Sequence, residues 1–162
     1  MSTTTQQTGK PTILSPVRLF EKLSTINQDQ QGNTPTPSMG MLCLLNGMRA
    51  IGKNNETAGK NLTRALAEAE KSKDQEEMAV ALLGLGYFYT TTNEFDKSIQ
   101  LYKGSFEIWK KIHGENNLKL ADLILDIAKI YQILNNESDF KKTIDTYQEL
   151  YKKNNQPVPK IV

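Results

Sequence analysis

Few side chains in this chain have the type and spacing that reactions require. His113 is the only histidine and Cys43 the only cysteine, and they stand 70 positions apart, so neither a thiol–imidazole pair nor a ligand set shows local spacing. His113 precedes Gly114 at the end of a helical pattern, where a basic side chain complements the negative helix terminus. Cys43 lies inside Met-Gly-Met-Leu-Cys-Leu-Leu, whose apolar neighbours make it a core filler rather than a nucleophile. The glycines Gly84 and Gly86 follow no strand and lead to no Lys-Ser/Thr ending, so they do not form a phosphate cradle. Asp122 and Asp126 are spaced i, i+4 with Lys129 one turn on, a pattern that puts two acids and a base on one helix face. No acid–base or nucleophilic constellation assembles around them. The expectation is a non-enzymatic protein with no cofactor and no metal site.

The elements that carry these residues are helical. Leu82, Leu85, Gly86 and Tyr89 recur 42 residues later as Ile124, Ile127, Ala128 and Tyr131. Phe95, Ser98, Ile99, Tyr102 and Ser105 find counterparts in Phe140, Thr143, Ile144, Tyr147 and Leu150. That pairing requires the last hairpin's turn to be three residues longer, through Asn135–Ser138. A period near 40 with apolar positions at helical spacing means paired helices that bury their faces by stacking on neighbours. An earlier copy begins at Met39, with Leu42 and Leu45 leading and Ala58, Leu62 and Ala65 trailing, each 40 residues before its middle counterpart. In that register Asn46 and Arg49 break the pattern. The leading helix from Met39 is apolar all round, so both of its sides need cover.

The remaining segments divide simply. Residues 1–13 read as a polar, disordered tail and 14–26 as a short amphipathic helix. The latter is capped by Ser15-Pro16, with Val17, Phe20, Leu23 and Ile26 along one face, and is a candidate cover for the first hairpin. Residues 27–38 form a linker, 39–154 the helical array and 155–162 an extended tail behind Pro157 and Pro159. Helices are predicted over about Glu76–Thr91 and Glu94–His113, with the last pair between Asn117 and Asn154. The final helix sets Lys141, Lys142, Asp145, Glu149, Lys152 and Lys153 mostly opposite Phe140, Ile144, Tyr147 and Tyr151, an outer face suited to closing an array.

The pattern Leu-x2-Leu-Gly-x2-Tyr, followed by small, aromatic and small positions, is met in Leu82, Leu85, Gly86, Tyr89, Ser98, Tyr102 and Ser105. It resembles the tetratricopeptide repeat family. The junction Glu107–Asn116 with Leu120-Ala121-Asp122 resembles its long-repeat, kinesin-light-chain-like type. The resemblance implies an all-α, helical-hairpin solenoid of about three repeats, preceded here by the short N-terminal helix. It also implies a role in binding and scaffolding.

Composition narrows the partners. Of 162 residues, 20 are Lys or Arg and 18 are Asp or Glu, a net charge of +2 that offers no broad field for nucleic acid. No apolar run approaches a membrane span, and the lone cysteine suits a reducing compartment. The expected location is cytoplasmic. A mitochondrial alternative rests on residues 1–20, which hold five threonines, Lys10 and Arg18 and no acid.

Family members that clamp acidic C-termini use basic and Asn side chains on the concave faces of the leading helices. By helical offset those positions are here Cys43 and Gly47, then Val80, Leu83 and Tyr87, then Asp122, Asp126 and Lys129. The expected occupant of such a groove is a partner peptide or helix with apolar anchors and a basic residue. Two functions are therefore expected from the sequence: an adaptor that captures a partner segment in that groove, or a small structural subunit or assembly factor of a larger complex, an organellar one included.

Overall fold

The computed structural model describes residues 37–161. The candidate helix 14–26 and the residues before it lie outside them. Among the described residues six α-helices form three consecutive hairpins: α1 (Met39–Ala50) with α2 (Asn55–Ser72), α3 (Gln75–Thr91) with α4 (Phe95–His113), and α5 (Ala121–Ile133) with α6 (Glu137–Lys153). A single 3-10 turn, Leu118–Leu120, leads into α5, and no strand occurs among the described residues. The architecture is an all-α array of tetratricopeptide-like hairpins, as the 42-residue recurrence predicts.

Local chemistry sets the boundaries. Ser38, Asn54, Asp74 and Asn136 each accept a hydrogen bond from the backbone N–H three residues on, capping α1, α2, α3 and α6. The α3–α4 and α5–α6 turns are equivalent. Asn93 and Asn135 take positive φ values of 62° and 54°, and the next N–H returns to Tyr89 O and Tyr131 O at 2.8 and 2.9 Å.

Close approach of paired helices rests on small residues. A Cβ on Gly86 would lie 2.6 Å from the Tyr102 ring, and one on Gly47 would lie 2.6 Å from Leu62 Cγ. Ser98 Oγ donates to Gly86 O at 2.8 Å and Ser105 Oγ to Ala79 O at 2.7 Å, so two buried hydroxyls tie α4 to the backbone of α3. Tyr102, Leu62, Ser98 and Ser105 are fully buried, and Cys43 belongs to the same continuous core.

Two register expectations need correction. The last hairpin's turn is not three residues longer: Leu134–Asn136 matches Thr92–Glu94 in length, and Phe140 falls in the first turn of α6. Phe140, Ile144 and Tyr147 therefore stand where α4 has Ser98, Tyr102 and Ser105. In the first hairpin the turn Ile51–Asn54 has one residue more than its counterparts. Packing, and not the turn length, identifies the counterpart of Gly86 as Gly47 rather than Asn46: Gly47 abuts Leu62 as Gly86 abuts Tyr102, so a small residue stands at that contact in both hairpins.

Candidate partner-binding surface

The six residues predicted to line a concave groove do not share one surface. Val80 and Leu83 are 2% and 1% exposed, within the core that α3 forms with the first hairpin. On a helix that is apolar all round, helical offset cannot distinguish a groove position from a packing position. Asp126 is also fully buried, with Lys129 Nζ 3.8 Å from its Oδ1. Tyr87, Asp122 and Lys129 stay half-buried, so only these three of the six reach solvent. Burial raises the Tyr87 hydroxyl above its ordinary pKa.

Asp126 has an electrostatic neighbour that its spacing did not announce. The Tyr102 hydroxyl is held well above its ordinary pKa, first by burial and then by the negative potential of Asp126 and Tyr87. Tyr102 on α4 and Asp126 on α5 are both fully buried, whereas Tyr87 on α3 is half-buried.

Among the described residues an open cleft lies elsewhere, between the second and third hairpins. A cleft of about 500 Å³ is lined by Lys103, Phe106 and Glu107 of α4, Ile124, Ile127 and Tyr131 of α5, and Asp139, Lys142, Thr143 and Thr146 of α6. Ile124 and Asp126 are two residues apart, so they point about 200° away from each other round α5. The cleft is thus on the face of α5 opposite the predicted groove.

Its chemistry is an apolar floor with a charged rim. Ile124, Ile127 and Tyr131 are almost fully buried, and Phe106 is half-exposed above them. Lys103 Nζ stands 5.4 Å from the centre of the Tyr131 ring, and Lys142 Nζ stands 3.6 Å from Asp139 Oδ1. Both lysines are exposed, as are Glu107 and Thr146. The rim therefore offers two cations, two anions and hydroxyls around aromatic and aliphatic side chains.

The cleft exists because three helices meet in space. Ile127 and Tyr131 were read from the repeat as hairpin-packing residues, and Lys142 as a solvated face; no signal in the sequence joined them to Lys103 and Phe106. His113 stacks on Trp109 with ring centres 5.2 Å apart, a packing role at the end of α4. Among the described residues no group of three or more His, Cys, Asp or Glu is placed to hold a metal, and no helix is long and apolar enough to cross a membrane.

Residues 77–139 match the family model for the tetratricopeptide repeat, a repeat that generally mediates protein–protein interaction. The match runs from the first turn of α3 into the first turn of α6. No curated protein and no solved structure matches the chain. The chain is thus similar to the tetratricopeptide repeat over residues 77–139, and its three stacked hairpins and the close Gly86–Tyr102 packing are features of the same kind.

Proposed function

We propose that this chain is a non-enzymatic adaptor that captures a segment of a protein partner, and that the capture surface is the cleft between the second and third hairpins. The observation that carries this reading is the cleft's makeup: about 500 Å³ of open volume over Phe106, Ile124, Ile127 and Tyr131, rimmed by Lys103, Glu107, Asp139 and Lys142. An amphipathic helix or extended peptide with two apolar anchors fits such a floor, and charged groups of either sign on it meet a complementary rim side chain. The burial of Val80, Leu83 and Asp126 leaves the opposite groove with Tyr87, Asp122 and Lys129, a smaller and more polar contact area. The kinesin-light-chain-like subtype is supported by the 42-residue spacing between the equivalent turn residues Asn93 and Asn135 and by the 19-residue α4.

The test is quantitative affinity capture from the native source with the full chain and two variants. Thr146→Arg places a bulky cation at the cleft rim without touching the core, and Tyr87→Ala opens the other face. Loss of a partner with Thr146→Arg but not with Tyr87→Ala is the expected result. The reverse pattern moves recognition to the concave side, and full retention with both removes the peptide-capture reading.

A further inference from the structure

The rim of the cleft carries both signs of charge, but they are not equally available to an incoming chain. Asp139 is engaged at the start of its own helix: its Oδ2 accepts from Asn136 Nδ2 at 2.9 Å and its Oδ1 stands 3.6 Å from Lys142 Nζ. It also lies in the first turn of α6, where the helix dipole favours a negative charge. Glu107 pairs with Lys110, its Oε2 3.2 Å from Nζ, rather than with Lys103 one turn before it. Both rim carboxylates, and Lys142 with them, are therefore already compensated.

Lys103 is the exception. It is exposed, its ammonium is poised 5.4 Å from the centre of the Tyr131 ring, and among the described residues no carboxylate lies within ion-pair distance of it. The rim hydroxyls do not compete with it for an anion. Thr143 Oγ1 donates to Asp139 O at 2.7 Å and Thr146 Oγ1 to Lys142 O at 3.0 Å, so each uses its one proton inside α6.

Resting on the cleft as the capture surface, we infer that the captured segment carries an acidic side chain within one helical turn of an apolar anchor, the carboxylate meeting Lys103 and the anchor covering Phe106. Lys103 and Phe106 are three residues apart on α4, so their Cβ atoms are about 5–6 Å apart on one face, and the groups that meet them must be neighbours in the partner as well. The Tyr131 ring holds the ammonium near the apolar floor, which lowers the ordering cost of pairing with it. A basic partner side chain would face Lys103 unopposed, and would reach Glu107 or Asp139 only by displacing Lys110 or Lys142. The sign is thus the reverse of the one expected for the groove beside Asp122 and Asp126. The surface also differs from the concave positions that clamp acidic C-termini in family members, since it lies on the other face of α5.

Selection of displayed random peptides on the full chain tests this, with affinities of the enriched peptides read by fluorescence anisotropy. Thr146→Trp, which adds bulk without charge, identifies the peptides that occupy the cleft. Those peptides are expected to share Asp or Glu within one turn of a large apolar residue. Lys103→Met keeps a flexible apolar stem over Tyr131 and removes only the charge, so it should weaken them about threefold, and Lys103→Glu about tenfold. Selection repeated on Lys103→Glu should enrich Lys or Arg instead. Lys60→Glu, at an exposed site on α2, should change nothing. Cleft peptides that lack an acid, that are unmoved by Lys103→Glu, or that lose as much with Lys60→Glu overturn the inference and leave the cleft standing as the capture surface. Enriched peptides all indifferent to Thr146→Trp, or no enrichment, overturn the cleft reading and this inference with it.

Discussion

Gly86 and Tyr102 are in such close apposition that the space of one side chain is the absence of the other: a Cβ on Gly86 would come within 2.6 Å of two ring carbons. Helix propensity favours alanine over glycine by about 1 kcal/mol, yet the clash is with a fully buried ring that has nowhere to move. Gly86→Ala is predicted to destabilise the protein by about 1–3 kcal/mol in denaturant titration. The third hairpin pairs Ala128 with Ile144 at the same positions. Combining Gly86→Ala with Tyr102→Ile should therefore cost less than the sum of the two single changes, and strict additivity would show that the contact is not shared.

Ser105 and Ser98 differ from ordinary small residues because their hydroxyls bond the carbonyls of Ala79 and Gly86 inside the core. Ser105→Ala removes one such bond at constant shape and should lower stability by about 1 kcal/mol. Ser105→Leu, which also forces α4 away from α3, should lower it by about 2–3 kcal/mol. Equal values for the two would deny the close approach.

Asn135 holds a left-handed conformation, φ 54°, in the turn that starts α6. Asn135→Gly is predicted to leave the melting temperature unchanged or slightly raised, since glycine adopts that conformation without strain. Asn135→Val should lower stability by about 1–2 kcal/mol, and the same pair of results is expected at Asn93, φ 62°. A tolerated valine at either site would mean that the turn is not the one described.

Two tyrosines set the alkaline limit. Tyr147 is pushed up to about 12, first by burial and then by its neighbour Tyr151, and Tyr102 is raised by burial and by Asp126. The unfolded chain ionises its tyrosines near pH 10 and so binds fewer protons there than the folded chain. Stability from these groups is complete below pH 10 and is lost as pH rises toward 12. Thermal melts across that range should show a falling midpoint, and Tyr147→Phe should flatten the fall. A midpoint constant to pH 12 would contradict their burial.

Much of the fold was legible because its determinants are local and periodic. Leu82, Leu85, Gly86 and Tyr89 lie on one helix face, and their recurrence at Ile124–Tyr131 marks a stacking unit without reference to distant contacts. Predicted helix limits near Glu76–Thr91 and Glu94–His113 fall within a residue of α3 and α4. The misreadings came from matching side-chain type ahead of turn chemistry. Phe140 was paired with Phe95 because both are aromatic, whereas Asn93 and Asn135, with their shared backbone conformation, fix the true 42-residue register. Asn46 was set opposite Gly86 because a fixed 40-residue offset does not show which side chain meets Leu62; the close contact is made by Gly47.

The candidate site was less legible for a different reason. Val80 and Leu83 are apolar on a helix apolar all round, so sequence alone does not say which side meets solvent. The cleft depends on the side-by-side placement of α4 and α6 over α5, a tertiary relationship that brings Lys103 and Lys142 to one rim from positions 39 residues apart.

Those two exposed lysines allow the central claim to be measured directly. Lysine-directed cross-linking of the full chain with what it captures from its native source, read by mass spectrometry, should place partner cross-links at Lys103 and Lys142, and Thr146→Arg should abolish them. Partner cross-links confined to other lysines, such as Lys60 or Lys129, and undiminished by Thr146→Arg would contradict capture in the cleft.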